Sequence, residues 1–143
     1  MEIKLTIFGD PVPQGRPRFV RQTGFVKAYD PERSRNYKQL VRLWATNQLK
    51  KIDGFKTLQN ALCVEMDFYI GIPTSWSKKK RTEAAQGLLR PIKKPDLDNM
   101  YKAVTDALNG LVWADDSIIT DVRLRKRYTA DTARVEMVIR EVE

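Results

Sequence analysis

The sequence predicts an α+β domain, a small mixed β-sheet packed with helices, and three observations lead there. Its 143 residues make one domain, 1–143, with chain enough for a core and no repeat, low-complexity tract or composition break to divide it. Residues 2–8 and 62–70 alternate apolar and polar side chains with the period of a strand, whereas 37–49 and 98–109 carry apolar residues at helical spacing. These segments follow one another without strict βαβ alternation, which disfavours a doubly wound parallel sheet.

In the first strand Ile3, Leu5 and Ile7 share one face, with Glu2, Lys4 and Thr6 on the other. The prolines of Gly9-Asp10-Pro11-Val12-Pro13-Gln14-Gly15-Arg16-Pro17-Arg18 forbid helix and make a loop. Residues 19–29 read as a short hairpin turning at Thr23-Gly24. Asp30-Pro31 opens the first helix, with Asp30 as its cap and Pro31 where a missing N–H costs nothing. Tyr37, Leu40, Val41, Trp44 and Leu49 would face the core, and Lys50-Lys51 and Gly54 mark the end. Leu62, Val64, Met66, Phe68 and Ile70 then alternate with Cys63, Glu65, Asp67 and Tyr69 in the clearest strand.

Thr74-Ser75-Trp76-Ser77 offers a cap for a short basic helix, 78–86, stopped by Gly87. After a loop, Asp98 is expected to cap a helix ending at Asn109-Gly110, with Tyr101, Val104, Ala107, Leu108 and Leu111 inward. Two strands, 118–128 and 133–142, joined by a polar turn at 129–132, complete the chain. In the first of them Ile118, Val122 and Leu124 would face in and Asp121, Arg123, Arg125 and Arg127 out.

Composition narrows the chemistry. There is no histidine, which removes Ser-His-Asp and Cys-His catalysis and histidine-ligated zinc. Cys63 is the single cysteine, so it forms no internal disulfide and reads as a small strand residue. No apolar run approaches the ~20 residues of a membrane span, and the N-terminus lacks a signal-peptide core, so a cytoplasmic protein with no membrane partner is expected. Lys and Arg total 26 against 18 acidic residues, a net charge of +8, which is the electrostatic footprint of a nucleic-acid binder.

Against that basic background stand two acidic pairs. Asp96 and Asp98 are separated by one residue and would project to the same side of an extended backbone, as Pro95 encourages. Asp98 alone is an ordinary helix cap, able also to turn one oxygen to a metal. Lys102 follows it by four positions on the same helical face, and Asp106, one turn further, reads as a surface partner for Lys102. A turn after that helix must bring Asp115-Asp116 back toward the first pair. Carboxylate oxygens suit Mg²⁺, with Mn²⁺ as a substitute, and a lysine beside them suits the charge of a phosphodiester transition state. No other small-molecule cofactor is indicated.

The candidate DNA contacts follow the basic runs. Lys78, Lys79, Lys80 and Arg81 open a helix beside Trp76; there cations oppose the dipole, so a phosphate would relieve the repulsion. Taken alone, the run is an ordinary solvated helix face. Arg16 and Arg18 flank a proline in the first loop as a phosphate clamp or a plain surface turn, and Lys93 and Lys94 adjoin the acids. Trp44 and Trp113 read as packing residues.

At these residues the sequence resembles the RusA family of Holliday junction resolvases. The loop at Gly9–Arg18 is similar to the family's G-x-P-x-P-K-x-R-P-R, with Gln14 where a lysine is common. Pro73-Thr74-Ser75-Trp76-Ser77-Lys78-Lys79-Lys80-Arg81 resembles P-x-S-W-S-K-K-K-R. Lys94-Pro95-Asp96-Leu97-Asp98-Asn99, Lys102-Ala103-Val104 and Asp106-Ala107-Leu108-Asn109-Gly110 resemble the family core, and Asp115-Asp116-Ser117 and Lys126-Arg127-Tyr128 complete it.

The resemblance implies a dimeric α+β Mg²⁺-dependent endonuclease, bacterial or phage-encoded and nucleoid-associated, that acts on branched DNA. It makes Asp96, Asp98 and Asp116 metal ligands with Asp115 adjacent, Lys102 the catalytic lysine, and Lys126 a further DNA contact. Two rivals are an architectural binder of branched DNA, which needs the basic patches but not the acids, and a D-x-D glycosyltransferase. The second wants a nucleotide-binding α/β domain that 143 residues hardly hold.

Overall fold

The computed structural model describes residues 1–15, 18–22, 25–29 and 31–142, the two middle segments as backbone. Its frame is a four-stranded sheet in the order β1-β6-β4-β5. The strands are β1 (Glu2–Phe8), β4 (Leu62–Gly71), β5 (Ile119–Thr129) and β6 (Arg134–Glu141). β6 runs antiparallel to both β1 and β4, and β5 runs parallel to β4. Parallel neighbours need a long crossover, and the chain supplies it with α2 (Lys78–Ala85) and α3 (Leu97–Leu108) between β4 and β5. A separate antiparallel pair, β2 (Arg18–Gln22) and β3 (Phe25–Tyr29), is the expected hairpin; its turn at Thr23-Gly24 and the residues Arg16 and Asp30 lie outside the described residues. The fold is thus a single α+β domain with a mixed sheet.

One face of the sheet is apolar and carries the core. Ile3, Leu5 and Ile7 of β1, Leu62, Val64, Met66 and Phe68 of β4, and Val135, Met137 and Ile139 of β6 are all buried. Against them pack α1 (Glu32–Leu49), through Tyr37, Val41, Ala45 and Leu49, and α3, through Met100, Ala103, Val104, Ala107 and Leu108. The opposite face is held by ions. Arg125 grips Asp67 through two hydrogen bonds of 2.6 and 3.0 Å, the planar fork matching both carboxylate oxygens. Arg140 reaches across β6 to Glu2 on β1 at 3.0 Å and to Glu65 on β4 at 3.1 Å. Arg134 lies 4.2 Å over the ring of Tyr69.

Local chemistry explains the ends and edges. The Gln48 side-chain amide accepts from Thr6 N at 2.9 Å and donates to Thr6 O at 2.6 Å, so it occupies the open edge of β1 as one residue of a further strand would. Ser77 caps α2 by accepting from Lys80 N. α2 closes in a two-bond cap: Leu88 N donates to Glu83 O and Gly87 N to Ala84 O, with Gly87 at φ +83°, where only glycine is unstrained.

Four expectations need correction. α1 has Pro31 rather than Asp30 at its cap position, so Pro31 precedes the helix instead of beginning it. α3 begins at Leu97 with Asp96 as its cap residue, which puts Asp98 inside the first turn. The D-x-D pair is therefore not a continuous extended segment with both side chains to one side. Leu40, expected to face the core, is exposed on α1. Val122 is exposed, because β5 is an edge strand whose first half is left uncovered.

The loop before the hairpin is pinned to α1 and α3: Gly15 N donates to Ser34 Oγ at 2.7 Å and Gln14 N to Asn99 O at 3.0 Å. A Cβ on Gly15 would stand 2.7 Å from both Ser34 Oγ and Pro31 Cγ. Gly15→Ala should cost about 1–3 kcal/mol of unfolding free energy in a denaturant titration. A loss within a few tenths would mean the loop is not seated as described.

Candidate active site

The site is organised from the core outward. Trp113 is fully buried, and its indole N–H donates to Asp116 Oδ1 at 2.7 Å. A buried indole needs an acceptor, so the Asp116 carboxylate is fixed at the rim of the core. Next to it, Asp115 caps a single 3₁₀ turn, Asp116–Ile118, with Oδ2 accepting from Ser117 N at 3.0 Å. The Ser117 side chain, with that backbone bond second, holds the Asp115 carboxyl below the ordinary aspartate value. The pair thus lies in a turn, and β5 follows it.

This turn returns Asp116 to the flank of α3. Burial pushes its carboxyl above the usual value and the negative charges of Asp106 and Asp115 add to the push, while the Trp113 hydrogen bond and Lys102 oppose it. Tyr101, on the same flank, is raised by its own burial and by the charge of Asp116. Asp116, Lys102, Asp106 and Tyr101 thus share one neighbourhood. Lys102 Nζ lies 3.4 Å from Asp106 Oδ1, and Lys38 Nζ of α1 lies 3.5 Å from Asp106 Oδ2. Asp106 pairs with Lys102 as the spacing predicts, and also joins α3 to α1. Close by, Arg42 donates to Ala107 O at 2.8 Å and covers the last carbonyls of α3.

Asp96 and Asp98 stand at the other end of this face, both exposed, with Asp98 Oδ1 accepting from Asn99 N at 3.0 Å. Asp98 precedes Lys102 by one helical turn, a rise of about 6 Å. Among the described residues no three acidic or thiol side chains already converge as a cation cage. The donor chemistry nonetheless suits a hard divalent ion: all the donors are carboxylate oxygens, and Asp116, raised by burial and then by like charges, is a group whose ionised form a cation would favour.

The basic residues divide. Lys78, Lys79 and Arg81 are exposed along α2, and Lys93 and Lys94 are exposed before the cis Lys94–Pro95 peptide. Lys80 instead lies 4.0 Å over the ring of Trp76, which meets Tyr128 edge-on at 5.2 Å and so ties α2 to β5. Lys126 donates to Lys93 O at 3.0 Å and Pro95 O at 3.1 Å, fastening the loop before α3 to β5. Arg18 lies on β2, and Cys63 is free on β4. The sequence reading missed Lys38, Tyr101 and the orienting role of Trp113. Only Trp113 left a signal, a tryptophan three residues before an aspartate.

Because its folded pKa is raised, ionised Asp116 weakens the metal-free fold at pH above that pKa. The cost fades as pH falls through it and vanishes once the carboxyl is protonated folded and unfolded alike. Asn keeps an oxygen for Trp113. Asp116→Asn should therefore raise the metal-free melting temperature at pH 7, with the gain disappearing on acidification; a lower melting temperature at pH 7 would contradict this electrostatic picture.

The family model for endodeoxyribonuclease RusA matches residues 9–140, from the first loop to the last strand. The Bacillus subtilis (strain 168) "Uncharacterized protein YqaN" is 42% identical over 142 residues, covering 98% of this chain and 96% of its own length. The stretch that matches the model includes Asp96, Asp98, Lys102, Asp115 and Asp116. The chain belongs to the RusA endodeoxyribonuclease family.

Proposed function

We propose that the chain is a Mg²⁺-dependent, structure-selective endodeoxyribonuclease that resolves four-way DNA junctions by paired symmetric nicks. The observation that carries this is that Asp116, anchored by Trp113, lies within electrostatic reach of Lys102 on α3. It places carboxylate and ammonium together in a chain of net charge +8. Asp96, Asp98 and Asp116 would hold the ion with Asp115 beside them, and the bound ion would supply Lewis acidity toward the scissile phosphate.

The chain's own groups do the rest. Lys102 offers its ammonium to the phosphate oxygens as charge builds on them, with Asp106 holding it 3.4 Å away until DNA competes for it. Trp113 keeps Asp116 from turning into solvent. Lys78, Lys79, Arg81, Lys93 and Lys94 bind backbone phosphates, and their cost in mutual repulsion favours an anionic partner. Lys80 and Lys126 act first as positioning residues, one through Trp76 and one through the loop carbonyls. A four-way junction is nearly two-fold symmetric, so an isologous homodimer would present the two sites that paired nicking requires. An architectural binder would keep the basic residues yet have no use for Lys102 beside Asp116.

A supercoiled plasmid bearing an extruded cruciform tests the proposal. Wild-type chain with Mg²⁺ should linearise it; Asp98→Asn should bind the junction and leave it uncut; mixed wild-type and Asp98→Asn dimers should accumulate nicked circles. Lys102→Met should lower turnover about 100-fold or more with the Mg²⁺ midpoint unchanged. Linearisation by Asp98→Asn, or restoration of full Lys102→Met turnover by extra Mg²⁺, would sink the assigned roles.

A further inference from the structure

Away from the acidic pairs, a cavity of about 330 Å³ opens between the loop after α2 and the end of β5. Tyr69, Tyr128, Gln86 and Leu89 help to wall it, and Arg90 and Arg127 bring guanidinium groups. Their charge is poorly answered. Asp67 pairs with Arg127 at 3.4 Å, yet both Asp67 oxygens are already hydrogen-bonded by Arg125. Arg127 Nε is buried without a hydrogen-bond acceptor. Arg90 is exposed and has no ion pair or hydrogen bond among the described residues. The carboxylate of Glu136 is paired with Arg134 at 3.7 Å.

Arginines near a helix C-terminus can simply answer its bare carbonyls. Here three of those carbonyls are occupied: Thr82 O, Glu83 O and Ala84 O accept from Gln86, Leu88 and Gly87 at 3.0, 3.0 and 3.1 Å. Two guanidinium forks with open donors in one hollow match an oxyanion with several acceptor oxygens. The volume exceeds that of a bare phosphate and leaves space for an attached sugar or base against the tyrosine rings.

We infer that this cavity is a phosphoryl-binding site, separate from the acidic pairs, that takes a phosphate of a nucleic-acid backbone or a free phosphate group. Only the first of these sources rests on the nuclease proposal. Arg127 lies eight positions along β5 from Ile119, beside the Asp116 turn, about 26 Å of strand. That is less than one turn of duplex, about 34 Å, so one DNA arm could meet both places.

The test uses full-length protein without divalent cation, probed with a short labelled duplex and, separately, with inorganic phosphate. Arg90→Gln and Arg127→Gln each remove one fork. Leu89→Trp fills the hollow and leaves both charges, and Lys50→Gln, at the far end of α1, is the control. If the duplex is the source, the slope of log affinity against log salt should fall by about 1 for each arginine removed, Leu89→Trp should weaken binding, and Lys50→Gln should leave the slope unchanged. If free phosphate is the source, thermal protection by phosphate should be lost in Arg90→Gln and Leu89→Trp while duplex binding is unaltered. Phosphate protection that depends on Arg90 in a protein that binds no DNA would uphold the site and overturn the nuclease proposal. Arg90→Gln is exposed and folds whatever becomes of Arg127. Wild-type behaviour of Arg90→Gln and Leu89→Trp in both arms would overturn the inference.

Discussion

A fully buried indole cannot leave its N–H unpaired, and the whole candidate site depends on how Trp113 meets that requirement. Its partner is Asp116, at 2.7 Å. The ring is among the largest side chains wholly inside the core, so the carboxylate it holds inherits the rigidity of that core. Everything else at the site is placed relative to this anchor. The turn at Asp115 aims the chain into β5, β5 pairs with β4, and Lys126 on β5 fastens the loop that begins α3. Core packing and site geometry are therefore one constraint seen from two sides.

Much of this was legible wherever burial is one-sided. β1 and β4 have one face on the core and one on the charged layer, and their alternation gave strands, faces and inward residues together. The basic helix was legible from Ser77 and Gly87 because capping is local chemistry. The apolar face of α3 was found in part: Val104, Ala107 and Leu108 are buried as expected, but so are Met100 and Ala103, while Tyr101 sits at the rim beside Asp116. The cap fell at Asp96 because Asp98 was already inside the first turn. Strand order was beyond reach of local pattern. Nothing in residues 119–141 says that β6 inserts between β1 and β4, since pairing partners are chosen by the tertiary fold. Val122 was misplaced for the same reason, an apolar residue on an edge strand beyond the cover of α3.

The charged residues taught a different lesson. A basic run in sequence does not say which of its ammonium groups are engaged by the protein itself. Lys80 and Lys126 belong to the most basic stretches, yet one lies on an indole and the other between two carbonyls. Asp106 looked like a surface partner for Lys102 and proves also to be a tie between α1 and α3. The candidate carboxylates were legible as residue types at a spacing, and the family match spans them all. The ring that fixes one of them was visible only as a tryptophan taken for packing. It is packing, with a polar edge that orients the site.

The central claim is that Asp116 belongs to a divalent-cation site, and Trp113 is its natural reporter. Among the three tryptophans, Trp44, Trp76 and Trp113, only Trp113 donates to a site carboxylate among the described residues. The most direct measurement is a titration of ¹⁵N-labelled protein with paramagnetic Mn²⁺, following the three indole resonances. The account predicts that the Trp113 signal broadens at Mn²⁺ concentrations that leave Trp44 and Trp76 sharp, and that Asp116→Asn removes this selectivity. Equal broadening of all three, or a Trp113 signal that outlasts the others, would contradict it.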